Sequence, residues 1–178
     1  YTGGGSTFNS EFAVNTGFTT PVSYTQNVYT LNDHTFDHTM AKLFKEQGYS
    51  VNAFHMNSSD FYSRGINYRS WGFDNYYGLV DIADYKNDEE ELDRELILNK
   101  DFYDLMFKQD GPFVDYIITY TPHTPFETED GVGRLVAEMK YGKGNIPSGL
   151  TEEDVVKLEA AETDYMVGLL IQALKDND

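Results

Sequence analysis

The chain has 178 residues, and its 40% hydrophobic and 15% aromatic content supplies enough apolar surface for a folded core and too much for a disordered segment. Thirty acids against thirteen bases give a net charge of −17, which disfavours attraction to nucleic acid or anionic lipid and fits a solvated acidic surface. Cysteine is absent, so disulfides and thiolate metal sites are excluded, and any metal must be held by oxygen or imidazole. No apolar run approaches the roughly 20 residues that span a bilayer, and no signal peptide opens the chain. These features predict a soluble chain, and its length predicts one domain.

The run Gly3-Gly4-Gly5-Ser6-Thr7 opens the sequence. Glycines ahead of Thr7 allow positive φ and close approach of a charged ligand, and the small polar residues after it can lead into a helix. Phe18 to Tyr29, rich in Thr, Val and Tyr but broken by Pro21, suits an irregular or edge-strand crossing. From Thr35 to Gln47, Phe36, Met40, Leu43 and Phe44 recur at helical spacing, and Gly48 stops the helix. The alternating, β-branched stretch Ser50 to His55 predicts a strand. Ser59 to Tyr68 reads as a short helix and Trp71 to Tyr77 as a second extended piece.

An acidic segment, Asp81 to Asp93, precedes a helix whose apolar face is Leu92, Leu96, Phe102, Leu105 and Met106. Phe113 to Tyr120 is nearly continuous in apolar character, the pattern of a central strand covered on both faces, and Pro122 ends it. Phe126 to Pro147, Gly-rich and charged without a dominant period, reads as a long surface excursion. Thr151 followed by Glu152, Glu153 and Asp154 marks a capped helix start, with Val155, Leu158, Met166, Leu169, Leu170 and Leu174 as its core stripe. Helices alternating with strands predict an open α/β sheet with ligands above the strand carboxyl ends.

Three sets of residues can carry chemistry. The Thr7 hydroxyl is a poor nucleophile at neutral pH and needs a base or a metal ion, although Gly-rich loops with Thr also occur in ordinary turns. His55 and His123, each near a strand end, can donate to a phosphate oxygen or protonate a leaving oxygen; an ordinary capping histidine is the alternative for each. Asn57, Phe61, Tyr62 and Arg64 follow His55, with Arg64 able to clamp a phosphate and the two rings able to pack a small polyol; a helix packed on the sheet with a solvated Arg accounts for the same residues. His34 and His38, four apart without further ligand pattern, read as structural.

Taken in order, Gly3-Gly4-Gly5-Ser6-Thr7-x-x-Ser10-Glu11-Phe12, Gly48-Tyr49 through Phe54-His55, Phe61-Tyr62-Ser63-Arg64, Trp71-Gly72-Phe73-Asp74 and Thr121-Pro122-His123-Thr124-Pro125-Phe126 resemble the lipoteichoic acid synthase family. That family is the phosphoglycerol transferase branch of the sulfatase and alkaline phosphatase superfamily. The resemblance covers essentially the whole chain and implies an α/β fold, an α/β/α sandwich of the sulfatase type that is incomplete at both ends, with residues 1–178 as part of the catalytic domain. It implies an enzyme at the extracellular face of the bacterial membrane, anchored through segments absent from this chain, that takes glycerol phosphate from the anionic headgroup of phosphatidylglycerol. The group passes through a phospho-threonine to a glycerol-phosphate polymer or glycan acceptor.

By matching position, the resemblance makes Thr7 the nucleophile and a metal ligand. It gives His55, Arg64 and His123 the substrate phosphate and the leaving group, and assigns Phe61, Tyr62 and Asn57 to the substrate. Tyr62 stands where the family usually has Trp, and Asn57 where it has Asp, so a related phosphodiester or sulfate ester is an alternative substrate. A noncatalytic phosphate-binding or scaffolding domain is a further alternative. The implied cofactor is a divalent metal, Mn²⁺ or similar. Its other ligands, an acid before the threonine loop and a later Asp-His pair, are expected outside residues 1–178, and the segment alone is expected to be inactive.

Overall fold

Three strands, β1 (Ser50–His55), β2 (Asn75–Gly78) and β3 (Phe113–Ile118), form one sheet in the order β2-β1-β3, and β1 runs parallel to β2. The structure is a computed structural model and describes residues 6–20, 28–32, 34–82 and 92–177. Eight helices accompany the strands among these residues: α1 (Thr7–Thr16), α2 (Met40–Glu46), α3 (Arg64–Ser70), α4 (Leu79–Ile82), α5 (Glu95–Leu98), α6 (Lys100–Phe107), α7 (Gly131–Tyr141) and α8 (Glu152–Asp176). The predicted α/β class is the observed one. Within the predicted domain the chain forms two compact units, residues 1–81 with 109–117 and residues 82–108 with 118–178.

In the first unit β1 is the central strand, with Val51, Ala53 and Phe54 fully buried. Among the described residues the predicted central strand, β3, is instead the outer neighbour of β1, with most of its residues half-buried. A continuous apolar run reports burial tendency but not place in the strand order. A polar relay crosses all three strands. Asn75 Nδ2 donates to Asn52 Oδ1 at 2.9 Å, Asn52 Nδ2 donates to Gln109 Oε1 at 2.8 Å, and Gln109 Nε2 reaches both Asp115 oxygens at 3.0 and 3.1 Å.

Helix α2 starts five residues later than the apolar spacing predicts. Thr39 caps it, accepting the Lys42 N–H at 3.2 Å and donating its own proton to the Trp71 carbonyl. Phe36 is buried just outside the helix, so it contributes to the core but not to the helical face. The Ser59–Tyr68 helix arrives as a 3-10 turn, Phe61–Ser63, followed by α3. Of the extended piece Trp71 to Tyr77, only Asn75 onward is strand, because Gly72 at φ 98° turns the chain. The predicted Phe18–Tyr29 crossing falls largely on residues 21–27, outside the described residues, and ends in a 3-10 turn at Val28–Leu31.

In the second unit the helix predicted after the acidic segment is two helices, split at Asn99, whose side chain caps α6 by accepting from the backbone N–H groups of Asp101 and Phe102. Residues 83–91 of the acidic segment lie outside the described residues. The expected excursion from Phe126 to Pro147 contains α7, which Asp130 caps and whose Leu135, Val136 and Ala137 pack with Leu92 and Leu158. Gly131 and Gly133 hid it, since glycine lowers helix propensity. Gly133 is needed, because a Cβ there would stand 2.1 Å from the Glu127 carbonyl oxygen. Helix α8 begins as predicted, with a Thr151/Asp154 capping box. Its buried stripe is Val155, Leu158, Glu159, Glu162, Met166 and Ala173, whereas Leu169 and Leu170 are half-buried and Leu174 is exposed.

Burial lifts the Asp115 carboxyl from its ordinary 3.8 to about 6, only partly offset by the hydrogen bonds from Gln109 and Asn52. A raised folded-state value means that the folded chain holds this proton more tightly. The group therefore stabilises fully below about pH 4, and the contribution is lost as pH rises through about 6. Asp115→Asn removes this slope. Urea midpoints at steps from pH 4 to pH 7 should show the variant gaining on the parent as pH rises, and a difference that stays flat would refute the burial account.

Candidate active site

Thr7 is the first residue of α1, and the backbone that delivers it is strained. Ser6 sits at φ 81°, ψ 138°, a region that costs an L-residue roughly 1–3 kcal/mol and is retained where surrounding structure enforces it. Ser6 makes no side-chain cap, so the first-turn N–H groups of α1 receive nothing from it, and the Thr7 side chain is exposed. Gly3, Gly4 and Gly5 lie outside the described residues.

One turn further along α1, Phe8, Glu11, Phe12 and Asn15 form a buried stripe, and the single acid in it has a fixed partner. Arg64 Nε donates to Glu11 Oε2 at 3.0 Å, Arg64 Nη2 donates to Glu11 Oε1 at 2.7 Å, and the Tyr68 hydroxyl donates to Oε2 at 2.9 Å. The Arg64 and Glu11 side chains are only 2% and 4% exposed. Burial opposes the Arg64 charge, but the hydrogen bonds and charge of Glu11 outweigh it and hold the guanidinium above its ordinary range. Burial and the Glu11 charge both push the Tyr68 hydroxyl well up. Removing one member of such a pair costs about 3–5 kcal/mol, because the other is left buried and uncompensated.

The solvated Arg64 of the alternative reading is therefore ruled out, since the residue is buried with two of its three nitrogens committed to Glu11. The third, Nη1, is buried with no hydrogen-bond partner. Phe61, Tyr62 and Arg64 come together as the motif suggests. The Arg64 guanidinium carbon stands 5.7 Å from the Phe61 ring centre and 5.1 Å from that of Tyr62. The Tyr62 ring packs 5.8 Å from Phe8 and 5.4 Å from Tyr29, so the helix that carries Thr7 touches the loop that carries the two rings. Tyr62 and Ser63 both have positive φ, 57° and 49°, and Phe61 is 49% exposed.

His55 ends β1 and is 4% exposed, in register with Gly78 of β2. A Cβ at Gly78 would stand 2.6 Å from both the Asn57 carbonyl oxygen and Asp81 Oδ2, so glycine lets the loop after His55 fold against β2. Asn57 is half-buried and turns its Oδ1 back to the Ser58 N–H at 2.7 Å. His34 and His38 are exposed, with His34 edge-on to Phe36 at 4.7 Å.

His123 belongs to the second unit, in a segment where cis peptide bonds precede Pro122 and Pro125. Its backbone N–H donates to Glu159 Oε2 at 2.7 Å, and its ring stacks on Tyr120 at 5.0 Å. Nδ1 bonds to the Thr124 carbonyl, which can only accept, so Nδ1 carries the hydrogen and Nε2 is the nitrogen left to exchange a proton. Asp93, fully buried, accepts from the N–H groups of Tyr120 and Thr121 at 2.7 and 2.8 Å and from the Thr121 hydroxyl at 2.5 Å. Burial raises the Asp93 and Glu159 carboxyls despite these bonds.

Glu11, Asp93 and Glu159 were not singled out in the sequence. Their signal was available as acids standing inside apolar helical stripes or beside a strand exit, where a charge needs a buried partner. Among the described residues no three His, Asp or Glu side chains form a group that could hold a metal ion. Thr7 supplies one neutral oxygen, so the described residues alone do not fit a divalent cation, which requires several converging ligands. Also among the described residues, no helix is long and apolar enough to cross a membrane.

The α/β fold has counterparts among solved structures. The fold matches the lipoteichoic acid synthase LtaP from Listeria monocytogenes with a TM-score of 0.69 at 24% identity, covering 98% of this chain and 41% of that one. It also matches an alkaline phosphatase superfamily protein from Vibrio parahaemolyticus, with a TM-score of 0.55 at 23% identity over 93% of this chain and 38% of that one. The chain belongs to the sulfatase family, whose model matches residues 1–178. It is 31% identical over 131 residues to the lipoteichoic acid synthase of Staphylococcus saprophyticus, covering 70% of this chain and 19% of that protein. With the lipoteichoic acid synthase of Staphylococcus aureus it shares 28% identity over 180 residues, 99% of this chain and 27% of the relative. The chain thus spans about a quarter or less of the length of these relatives.

Asp93→Ala leaves two backbone N–H groups and a hydroxyl without their acceptor ahead of His123. The expected loss is about 3 kcal/mol by denaturant unfolding, with a smaller loss for Asp93→Asn, which keeps one acceptor oxygen. Equal stability of Asp93→Ala and the parent would show that the exit from β3 is held by something else.

Proposed function

We propose that residues 1–178 are part of a phosphoglycerol transferase that uses Thr7 as its nucleophile. The observation that carries this reading is the placement of Thr7 as the exposed first residue of α1, behind a strained Ser6, on a helix whose Phe8 contacts Tyr62 and whose Glu11 contacts Arg64. The relatives are named for lipoteichoic acid synthesis, which supports glycerol phosphate as the transferred group. The donor is phosphatidylglycerol, and the acceptor is a glycerol-phosphate polymer or an envelope glycan. The parent protein works at the extracellular face of the membrane through segments outside this chain.

In the first half-reaction the Thr7 Oγ–phosphorus bond forms and the phosphorus–oxygen bond to diacylglycerol breaks. The threonine proton balances the diacylglycerol hydroxyl. In the second, an acceptor hydroxyl takes the glycerophosphoryl group, the Thr7 Oγ–phosphorus bond breaks, and the acceptor proton returns to Thr7. His55 and Arg64 contact the phosphate from the unit that carries Thr7, and His123 exchanges its proton at Nε2. Phe61 and Tyr62 pack the glycerol, with Asn57 in the loop beside them. Thr7 would give one ligand to a divalent metal, Mn²⁺ by resemblance, with the other ligands from outside this chain; when bound, the ion would supply Lewis-acid activation of the hydroxyl.

In the full-length protein given phosphatidylglycerol vesicles, Thr7→Ala should lower turnover at least 10³-fold, and the Thr7 peptide should lose its phosphoglyceryl mass adduct. Undiminished turnover, or an adduct elsewhere, would remove Thr7 from the reaction. Release of free glycerol phosphate in place of polymer would make the protein a phosphodiester hydrolase of the same superfamily.

A further inference from the structure

Glu11 is a buried acid of the first unit with three hydrogen-bond donors around it, and nothing in the transfer chemistry above uses it. It accepts three hydrogen bonds, from Arg64 Nε, Arg64 Nη2 and the Tyr68 hydroxyl, at 3.0, 2.7 and 2.9 Å. A planar guanidinium held at Nε and Nη2 has no rotational freedom left, so the direction of Nη1 is fixed by the carboxylate on α1. Nη1 is buried and lacks an acceptor, on a side chain that is only 2% exposed. Buried donors are nearly always paired, so an orphan on a charged group marks a place for an absent acceptor. The Tyr76 hydroxyl, likewise buried and short of a full hydrogen bond, lies beside the Arg64 guanidinium, whose charge opposes the upward push that burial gives the hydroxyl.

We propose that Glu11 is a positioning residue that holds the Arg64 guanidinium through Nε and Nη2 and so reserves Nη1 for an oxygen of the substrate phosphate. Glu11 touches no reacting atom. It acts through Arg64, and because it stands four residues after Thr7 on α1, one carboxylate sets both the orientation of the phosphate donor and the seat of the nucleophile's helix. A phosphate oxygen at Nη1 satisfies the orphan donor without breaking either bond to Glu11. The inference rests on the reading of Arg64 as a phosphate contact but not on the identity of the lipid donor.

The test uses the full-length protein, inorganic phosphate as the binding probe with and without Mn²⁺, and phosphatidylglycerol vesicles as substrate. Glu11→Gln and Arg64→Lys should each weaken phosphate binding at least tenfold, and the double variant should bind no more weakly than Arg64→Lys alone, since Glu11 works only through that side chain. In turnover the loss should fall in kcat/KM. Tyr68→Phe, which removes one donor and leaves the charge pair intact, should give a smaller loss of phosphate affinity and covers the case in which Glu11→Gln does not fold.

Variants with a lower melting temperature but parental phosphate affinity would show a purely structural pair and overturn the proposal. Additive losses in the double variant, or a parent protein that binds no phosphate at millimolar concentration, would do the same. Mutation-sensitive phosphate binding without turnover of phosphatidylglycerol would leave the role of Glu11 standing and reject the lipid donor.

Discussion

The first unit depends on one buried charge pair. Glu11 and Arg64 are both almost fully withdrawn from water, and each is tolerable there only because the other is present. Their bond fixes the rotation of α1, because Glu11 shares its buried face with Phe8 and Phe12. It also fixes the start of α3 and, through the Phe61 and Tyr62 rings beside the guanidinium, the loop before it. Trp71 closes the same core, 5.4 Å from Phe8 and 4.7 Å from Tyr68, while Thr39 ties the start of α2 to the Trp71 carbonyl. Placement of the exposed Thr7 follows from a packed aromatic and ionic framework more than from the Gly-rich stretch before it.

The second unit solves a related problem with backbone groups. The chain leaving β3 has N–H groups that no strand neighbour takes up, and the buried carboxylates of Asp93 and Glu159 accept them at Tyr120, Thr121 and His123. Glu162, one helical turn after Glu159, holds Arg94 instead, whose guanidinium lies 4.5 Å from the Tyr165 ring centre. With thirty acids in the chain, most of the negative charge is surface charge, but these acids organise the interior. Many bases are spent internally or in local pairs: Arg64, Arg94, Arg134, Lys45, Lys100, Lys108 and Lys157 all face an acid. The surface left over is strongly anionic and offers no broad basic field.

Strands and the capped helix α8 were readable from sequence because their signals are local. The β-branched stretch Ser50 to His55 is a strand as its local sequence predicts, although it is buried almost throughout and does not alternate, and Thr151 with Asp154 closes a capping box within four residues. What failed was information that resides in tertiary contacts. The place of β3 as the outer neighbour of β1 depends on strand order, the split between α5 and α6 on a capping choice at Asn99, and α7 on a glycine that lets Glu127 approach. The motif residues show the same division. Phe61, Tyr62 and Arg64 were recognisable as a group and do meet in space, but the partner that commits Arg64 lies on α1. A single sequence offers only the hint that Glu11 is an acid in an apolar stripe.

Glu11 and Arg64 are separated by 53 positions, yet their bond leaves most of the intervening path unspecified. Closing a flexible loop becomes only slowly more costly with length, by about 0.6 kcal/mol for each doubling. Insertions or deletions in the exposed parts of the chain between α1 and α2 therefore shift the closure entropy by far less than the charge pair contributes. The segment can drift in length over evolutionary time while α1 keeps its seat, so divergence should accumulate there before it reaches either end of the pair.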